Sequence, residues 1–99
     1  MITHTVVRYT VKAGLEEQNA DLVRAVYREL AEARPAGFEY ATYRLEDGRT
    51  FVHVAAHDGD VEFPLRDLVS FREFRVGLDG RCEQGPVVAP AEKLGGYRS

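Results

Sequence analysis

The chain has 99 residues, 44% of them hydrophobic and 29% charged, with a formal net charge of −3. That length suits one domain over residues 1–99, because halves would be too small to bury a core, and the composition is that of a folded globular protein. The negative charge argues against bulk attraction to nucleic acid or anionic lipid, and no apolar run reaches the roughly 20 residues a membrane span requires. The opening MITHTVVRYTVK alternates polar and apolar residues without a signal peptide's unbroken apolar segment, which points to the cytoplasm.

Thr5 to Lys12 is rich in β-branched residues and predicts a strand, ended by Ala13-Gly14. From Leu15 the period changes. Leu22, Val23, Val26, Tyr27 and Leu30 recur at three- and four-residue spacing, with charged residues between them and acids in the first turn. This is an amphipathic helix, stopped by Pro35-Ala36-Gly37. Phe38 to Leu45 and Thr50 to His57 predict two strands joined by an Asp47-Gly48 turn, hence a hairpin. Asp58-Gly59-Asp60 closes it, and a loop through Pro64 leads to helical segments from Leu65, broken near Gly77 or Gly80. Val87 to Leu94 returns to extended chain, and Pro90 predicts an edge or irregular strand.

The order βαββαβ predicts a ferredoxin-like α+β sandwich, with an antiparallel sheet whose first and third strands are central. Two helices cover one sheet face. The other face needs a cover, and a second sheet supplies the simplest one.

Three stretches carry a family resemblance: RYTVKAG leading into an acidic helix, the hairpin YRLEDGRTFVHVAAHDG, and SFREFRVGLDGRCEQGPVVAPAEKLGGYRS. Together they make nearly the whole chain similar to the antibiotic biosynthesis monooxygenase-like family of the dimeric α+β barrel superfamily. The resemblance implies a dimeric α+β barrel, a homodimer whose open sheet faces meet, with a pocket between sheet and helices. Its activities include cofactor-independent oxygenation of aromatic polyketides, quinol oxidation and haem degradation. The chain has no tryptophan, its first strand no asparagine, and its second helical region no histidine, so the haem-degrading arrangement is disfavoured.

Strand alternation sorts the candidate residues. In the third strand Val52, Val54 and Ala56 share one face, expected beneath the helices, while Phe51, His53, Ala55 and His57 share the other. Four strand residues set His53 and His57 roughly 13 Å apart, too far for both to ligate one metal ion. His57 is expected exposed at the strand end. His53, in mid-strand, needs a partner: it is a candidate base or a hydrogen-bonded residue of the dimer seam. Arg8 is expected on the same face as His53, where it would stabilise an anion or form an interface ion pair.

Tyr9, Tyr27, Tyr40 and Tyr43 offer aromatic walls with polar tips, Tyr43 among the candidates for substrate contact. Phe71 and Phe74 are core residues that the resemblance also places near the pocket, and Asn19 is a polar candidate beside the first helix's apolar stripe. Cys82 stands alone and reads as a small buried apolar group. The arginines at 66, 72, 75 and 81 alternate with acids and read as a solvated helix face. No phosphate loop, dinucleotide fingerprint or nucleophile elbow occurs.

Two functions fit. One is a cofactor-independent monooxygenase of a small aromatic, quinol or polyketide-like compound, using His53 as base and Arg8 as cation. The other is a dimeric barrel that binds a small ligand, or only its partner chain, without turnover.

Overall fold

The β-branched N-terminal segment forms β1 (Ile2–Val11), and the amphipathic stretch after Gly14 forms α1 (Glu16–Ala33), in a computed structural model that describes residues 1–99. There follow β2 (Glu39–Arg44), β3 (Thr50–Asp58), α2 (Val69–Val76), the single turn α3 (Leu78–Arg81) and β4 (Cys82–Ala91). The strands make one antiparallel sheet in the order β2-β3-β1-β4, with β1 and β3 central as the sequence predicts. The break between helical segments falls at Gly77, and β4 lies at the edge, where the missing N–H of Pro90 is tolerated.

The β2–β3 hairpin is held at its tip by Asp47. One carboxylate oxygen accepts the backbone N–H groups of Arg49 (3.0 Å) and Thr50 (2.8 Å), and the other accepts the Thr50 hydroxyl (2.5 Å). These bonds favour the ionised carboxylate and push its pKa down to about 2. At the far end of the molecule Glu29 of α1 accepts both the backbone N–H and the hydroxyl of Ser70, tying the two helices together at the start of α2.

Val23 and Val26 of α1, with Phe74 of α2 and Leu78 of α3, cover Tyr9, Val11 and Phe51 of the sheet, and Leu65, Leu68 and Cys82 complete the core. Cys82 is buried as expected, at the first residue of β4 rather than within a helix, and burial pushes its thiol pKa up.

The third strand presents its faces the other way round from the sequence expectation. Phe51, His53 and Ala55 are buried beneath the helices, while Val52, Val54 and Ala56 look to the open face. Pairing explains the reversal. His53 sits opposite Val7, Phe51 opposite Tyr9 and Ala55 opposite Thr5, so these residues share the helix-covered face set by Tyr9 and Val11.

β4 begins earlier than the sequence suggests, at Cys82, because an irregular register between Arg8 and Val11 lets the chain turn directly from α3 into the sheet. Gly85 lies in this irregular stretch with φ +85°. A Cβ there would come within 2.9 Å of the Arg8 carbonyl oxygen and 3.2 Å of the Tyr9 Cα. Gly85→Ala should therefore lower stability in urea unfolding by about 1–3 kcal/mol, through positive φ and backbone collision. An unchanged midpoint would contradict this account of the early β4 start.

Candidate functional site

His53 is 4% exposed and belongs to a continuous chain of side-chain hydrogen bonds joining five elements. The chain starts at Arg81, the last residue of α3, whose Nε donates to Asn19 Oδ1 (3.0 Å) and whose Nη2 donates to the Phe74 carbonyl (2.9 Å). Asn19 of α1 passes the polarity on, its Nδ2 donating to the Tyr9 hydroxyl (3.0 Å). The Tyr9 hydroxyl lies 2.7 Å from His53 Nε2. On the far side of the ring, Nδ1 lies 2.6 Å from the Tyr40 hydroxyl and 3.1 Å from that of Thr42, which in turn lies 2.8 Å from the Tyr27 hydroxyl.

Donor counting assigns the tautomer. Tyr9 is 1% exposed and already accepts from Asn19, so its own proton must go to Nε2 or stay buried without a partner. With Nε2 accepting, the proton of the neutral ring is on Nδ1, where the Tyr40 and Thr42 oxygens receive it. The Tyr40 proton is then left to donate elsewhere. Burial disfavours the imidazolium and pushes the pKa of His53 down to about 4, while desolvation drives the phenols of Tyr9 and Tyr40 above their ordinary value.

Arg81, 5% exposed, is the buried cation of this side of the sheet and has no carboxylate within ion-pair distance. Its charge is met by Asn19, by the Phe74 carbonyl and by the Phe74 ring, 5.4 Å below the guanidinium. Burial lowers its pKa, but an arginine stays protonated in proteins. The sequence reading of Arg81 as part of a solvated face is corrected here. Its three-residue spacing from Leu78 puts the two on the buried side of α3, and that was the available signal.

A cavity of about 310 Å³ lies between the sheet and the helical layer, walled by Tyr40, Phe63, Phe71, Phe74 and Leu78, with His53, Ala55 and His57 along its floor. Its size falls at the lower end of the roughly 300–1,000 Å³ typical of small-molecule sites. A larger concavity, about 790 Å³, lies on the open sheet face beside His4, Glu39, Tyr43 and Val54. The buried polar chain borders the smaller one, which Tyr9, His53 and Tyr40 help to line.

Of the residues singled out from sequence, His53, Phe71 and Phe74 come together at this cavity. Asn19 is fully buried in the polar chain, does not line the cavity, and is bonded to Tyr9. Arg8 and Tyr43 lie on the other side of the sheet, opposite Val52 in the two ladders that flank it. The expected meeting of Arg8 with His53 does not occur, because β3 turns its histidines under the helices. His57, expected exposed at the strand end, is half-buried at the cavity, with Phe63 edge-on at 5.2 Å. Thr42 and Arg81 were not anticipated.

No family model matches the chain, and no curated protein matches it. Solved structures do, and the fold they share is that of proteins named for antibiotic biosynthesis monooxygenase. One provisionally so named, from Bacteroides thetaiotaomicron, superposes with TM-score 0.82 at 9% identity, over 99% of this chain and 95% of its own. Another, from Nitrosomonas europaea, gives 0.77 at 14% identity over 94% and 90%. A third, from Bordetella bronchiseptica, gives 0.66 at 18% over 94% and 97%. At these identities the likeness is one of fold. No helix of the chain is long and apolar enough to cross a membrane.

The network predicts an NMR result. In ¹⁵N-detected titration, His53 should be the neutral Nδ1–H tautomer at pH 7 and should take up its second proton only as pH falls toward about 4. An Nε2–H ring, or an imidazolium already formed at pH 6, would contradict the assigned direction of the hydrogen bonds.

Proposed function

We propose that this protein is a cofactor-independent monooxygenase of a small aromatic, quinol or polyketide-like compound, working as a cytoplasmic homodimer with the cavity at His53 as its active site. One observation carries the reading: a neutral imidazole, gripped by two phenols, stands in the wall of an aromatic-lined cavity of about 310 Å³. The monooxygenase names of the structural neighbours agree with it.

The chemistry needs a base, an apolar enclosure and dioxygen. An electron-rich substrate loses a proton beside His53, and the resulting anion delivers electrons directly to dioxygen. Where a ring methylene becomes a carbonyl, carbon loses the four electrons that dioxygen takes up. One oxygen atom enters the product and the other leaves as water with the two methylene hydrogens, so no external reductant is needed. Nδ1 already carries the ring proton, so a substrate proton reaches the imidazole at Nε2, relayed through the Tyr9 hydroxyl. Burial opposes an isolated imidazolium, but the substrate anion formed beside it compensates the charge. The Tyr40 proton is free to steady a developing oxyanion, and Phe71 and Phe74 supply apolar walls.

Arg8 and Tyr43 take a different part. They stand on the open face with Val54 and Val87, of which Val87 is 64% exposed. An apolar sheet face of this kind, bordered by polar residues, suits a second copy of the chain, with Arg8 in the subunit contact.

A second reading rests on the same satisfied histidine: with both nitrogens paired, His53 also suits a barrel that binds a small aromatic without turnover.

Oxygen-electrode assays with quinols and anthrone-like compounds separate the two. Wild type should consume oxygen, and His53→Ala should lose at least about 100-fold in rate while Tyr40→Phe keeps the fold and loses less. Equal rates in a folded His53→Ala protein would remove His53 from the mechanism, and ligand binding without oxygen uptake would favour the non-catalytic barrel. Light scattering at micromolar concentration should give the mass of a dimer, and a monodisperse monomer would sink the barrel assembly.

A further inference from the structure

The proposed chemistry makes no use of Arg81, although burying a guanidinium that meets no carboxylate is costly. The fold makes room for it at the junction of α2 and α3. A Cβ on Gly77 would come within 2.7 Å of Arg81 Nη1, and the missing side chain leaves that space to the guanidinium. Arg81 does not line the cavity, so any part it takes in the chemistry is indirect.

Without Arg81, the bonds around His53 could run in either of two directions. In one, Asn19 donates to Tyr9, Tyr9 to Nε2, and Nδ1 to the hydroxyls of β2. In the other the amide is turned over. Tyr9 then donates to the Asn19 oxygen, Nε2–H donates to Tyr9, and a β2 hydroxyl donates to Nδ1. Both directions use the same contacts, and only the other neighbour of Asn19 separates them. A guanidinium has no acceptor, so the turned amide would set its NH2 against Arg81 Nε, two donors 3.0 Å apart with nothing to accept. We propose that Arg81 is a positioning residue for His53: it selects one of two polarities of the buried chain and so keeps the imidazole lone pair on Nε2, at the Tyr9 relay, instead of on Nδ1. Its part in proton transfer rests on the reading of His53 as the base; the tautomer it dictates does not.

Asn19→Asp tests this by exchanging the amide's donor for an acceptor at unchanged size. The carboxylate still accepts from Arg81, which gains an acid partner, but Tyr9 must now donate to Asp and accept from Nε2–H. Imidazole ¹⁵N NMR at pH 7 should show the ring proton moved from Nδ1 in wild type to Nε2 in the variant. Arg81→Met removes the selector itself, and in the folded variant the Nε2–H ring should become populated; if it does not fold, Asn19→Asp decides alone. In oxygen uptake with quinols and anthrone-like compounds, Asn19→Asp should lose at least about 10-fold in kcat with KM little changed, because the lone pair has left the relay.

An Nδ1–H ring retained in Asn19→Asp would overturn the proposal. So would a ring still wholly Nδ1–H in folded Arg81→Met, since the guanidinium would then not be the selector. An inverted ring with unchanged kcat would remove the positioning role, because the reaction would not depend on the tautomer. If wild type consumes no oxygen, the active-site reading fails instead, and the NMR comparison still decides whether Arg81 sets the tautomer.

Discussion

A buried arginine that meets no acid sets the direction of everything around His53. A guanidinium only donates, so the amide of Asn19 must turn its oxygen to Arg81 and its nitrogen to Tyr9. Tyr9, with its oxygen taken, must donate to His53, and the imidazole must carry its proton on the side of Tyr40. The polarity of the chain is thus fixed at one end by a charge that cannot be neutralised at ordinary pH. The same bonds join α3, α1, β1 and β3, so the network is also a clamp on the fold. Each interior link is worth only about 1 kcal/mol net, but breaking one leaves a buried partner unsatisfied at a cost of roughly 1–3 kcal/mol.

That clamp explains why a domain with so small a core can keep a cavity. Tyr9, Phe51 and Phe74 pack on one side of His53, and the rings of Tyr40, Phe38 and Tyr27 stack in a row on the other. Aromatic rings give large contact area with few rotatable bonds, so the walls stand without filling the space between them. Ala55, also in the lining, adds little volume to it. The apolar surroundings then hold His53 neutral, which is the state in which an imidazole can take a proton.

Much of the architecture was legible in the sequence. The change of hydrophobic period at Leu15, the Asp47-Gly48 turn, the break at Gly77 and the central place of the first and third strands are all local signals with a direct physical cause. The site was less legible, because it depends on which face of β3 turns inward. Alternation separates Phe51, His53, Ala55 and His57 from Val52, Val54 and Ala56, but it cannot say which set is covered. Aliphatic residues suggested one answer. The large Phe51, stacked on Tyr9 at 5.6 Å, dictates the other, and a shift of one residue in pairing reverses every side chain. Once β3 is turned, His57 moves from solvent to the cavity and Arg8 parts from His53. Arg81 escaped notice for a simpler reason: charged residues are rarely buried, and its neutral partners lie 62 and 7 residues away.

The two faces of the sheet remain connected through β2. Tyr40 borders the covered cavity and also the open-face concavity, where Glu39 and Tyr43 are its chain neighbours or near neighbours on the exposed side. β2 is an edge strand bonded only to β3, so its position is less constrained than that of β1, which has ladders on both sides. The hydroxyls that hold His53 Nδ1 both come from β2, Tyr40 and Thr42, whereas Nε2 is held from β1. One side of the imidazole is therefore anchored to the rigid centre of the sheet and the other to its edge. A contact that shifts the open face of β2 would move the Tyr40 and Thr42 hydroxyls against a ring fixed by Tyr9, altering the hydrogen bond that leads into the cavity and leaving the charge-set half of the chain in place.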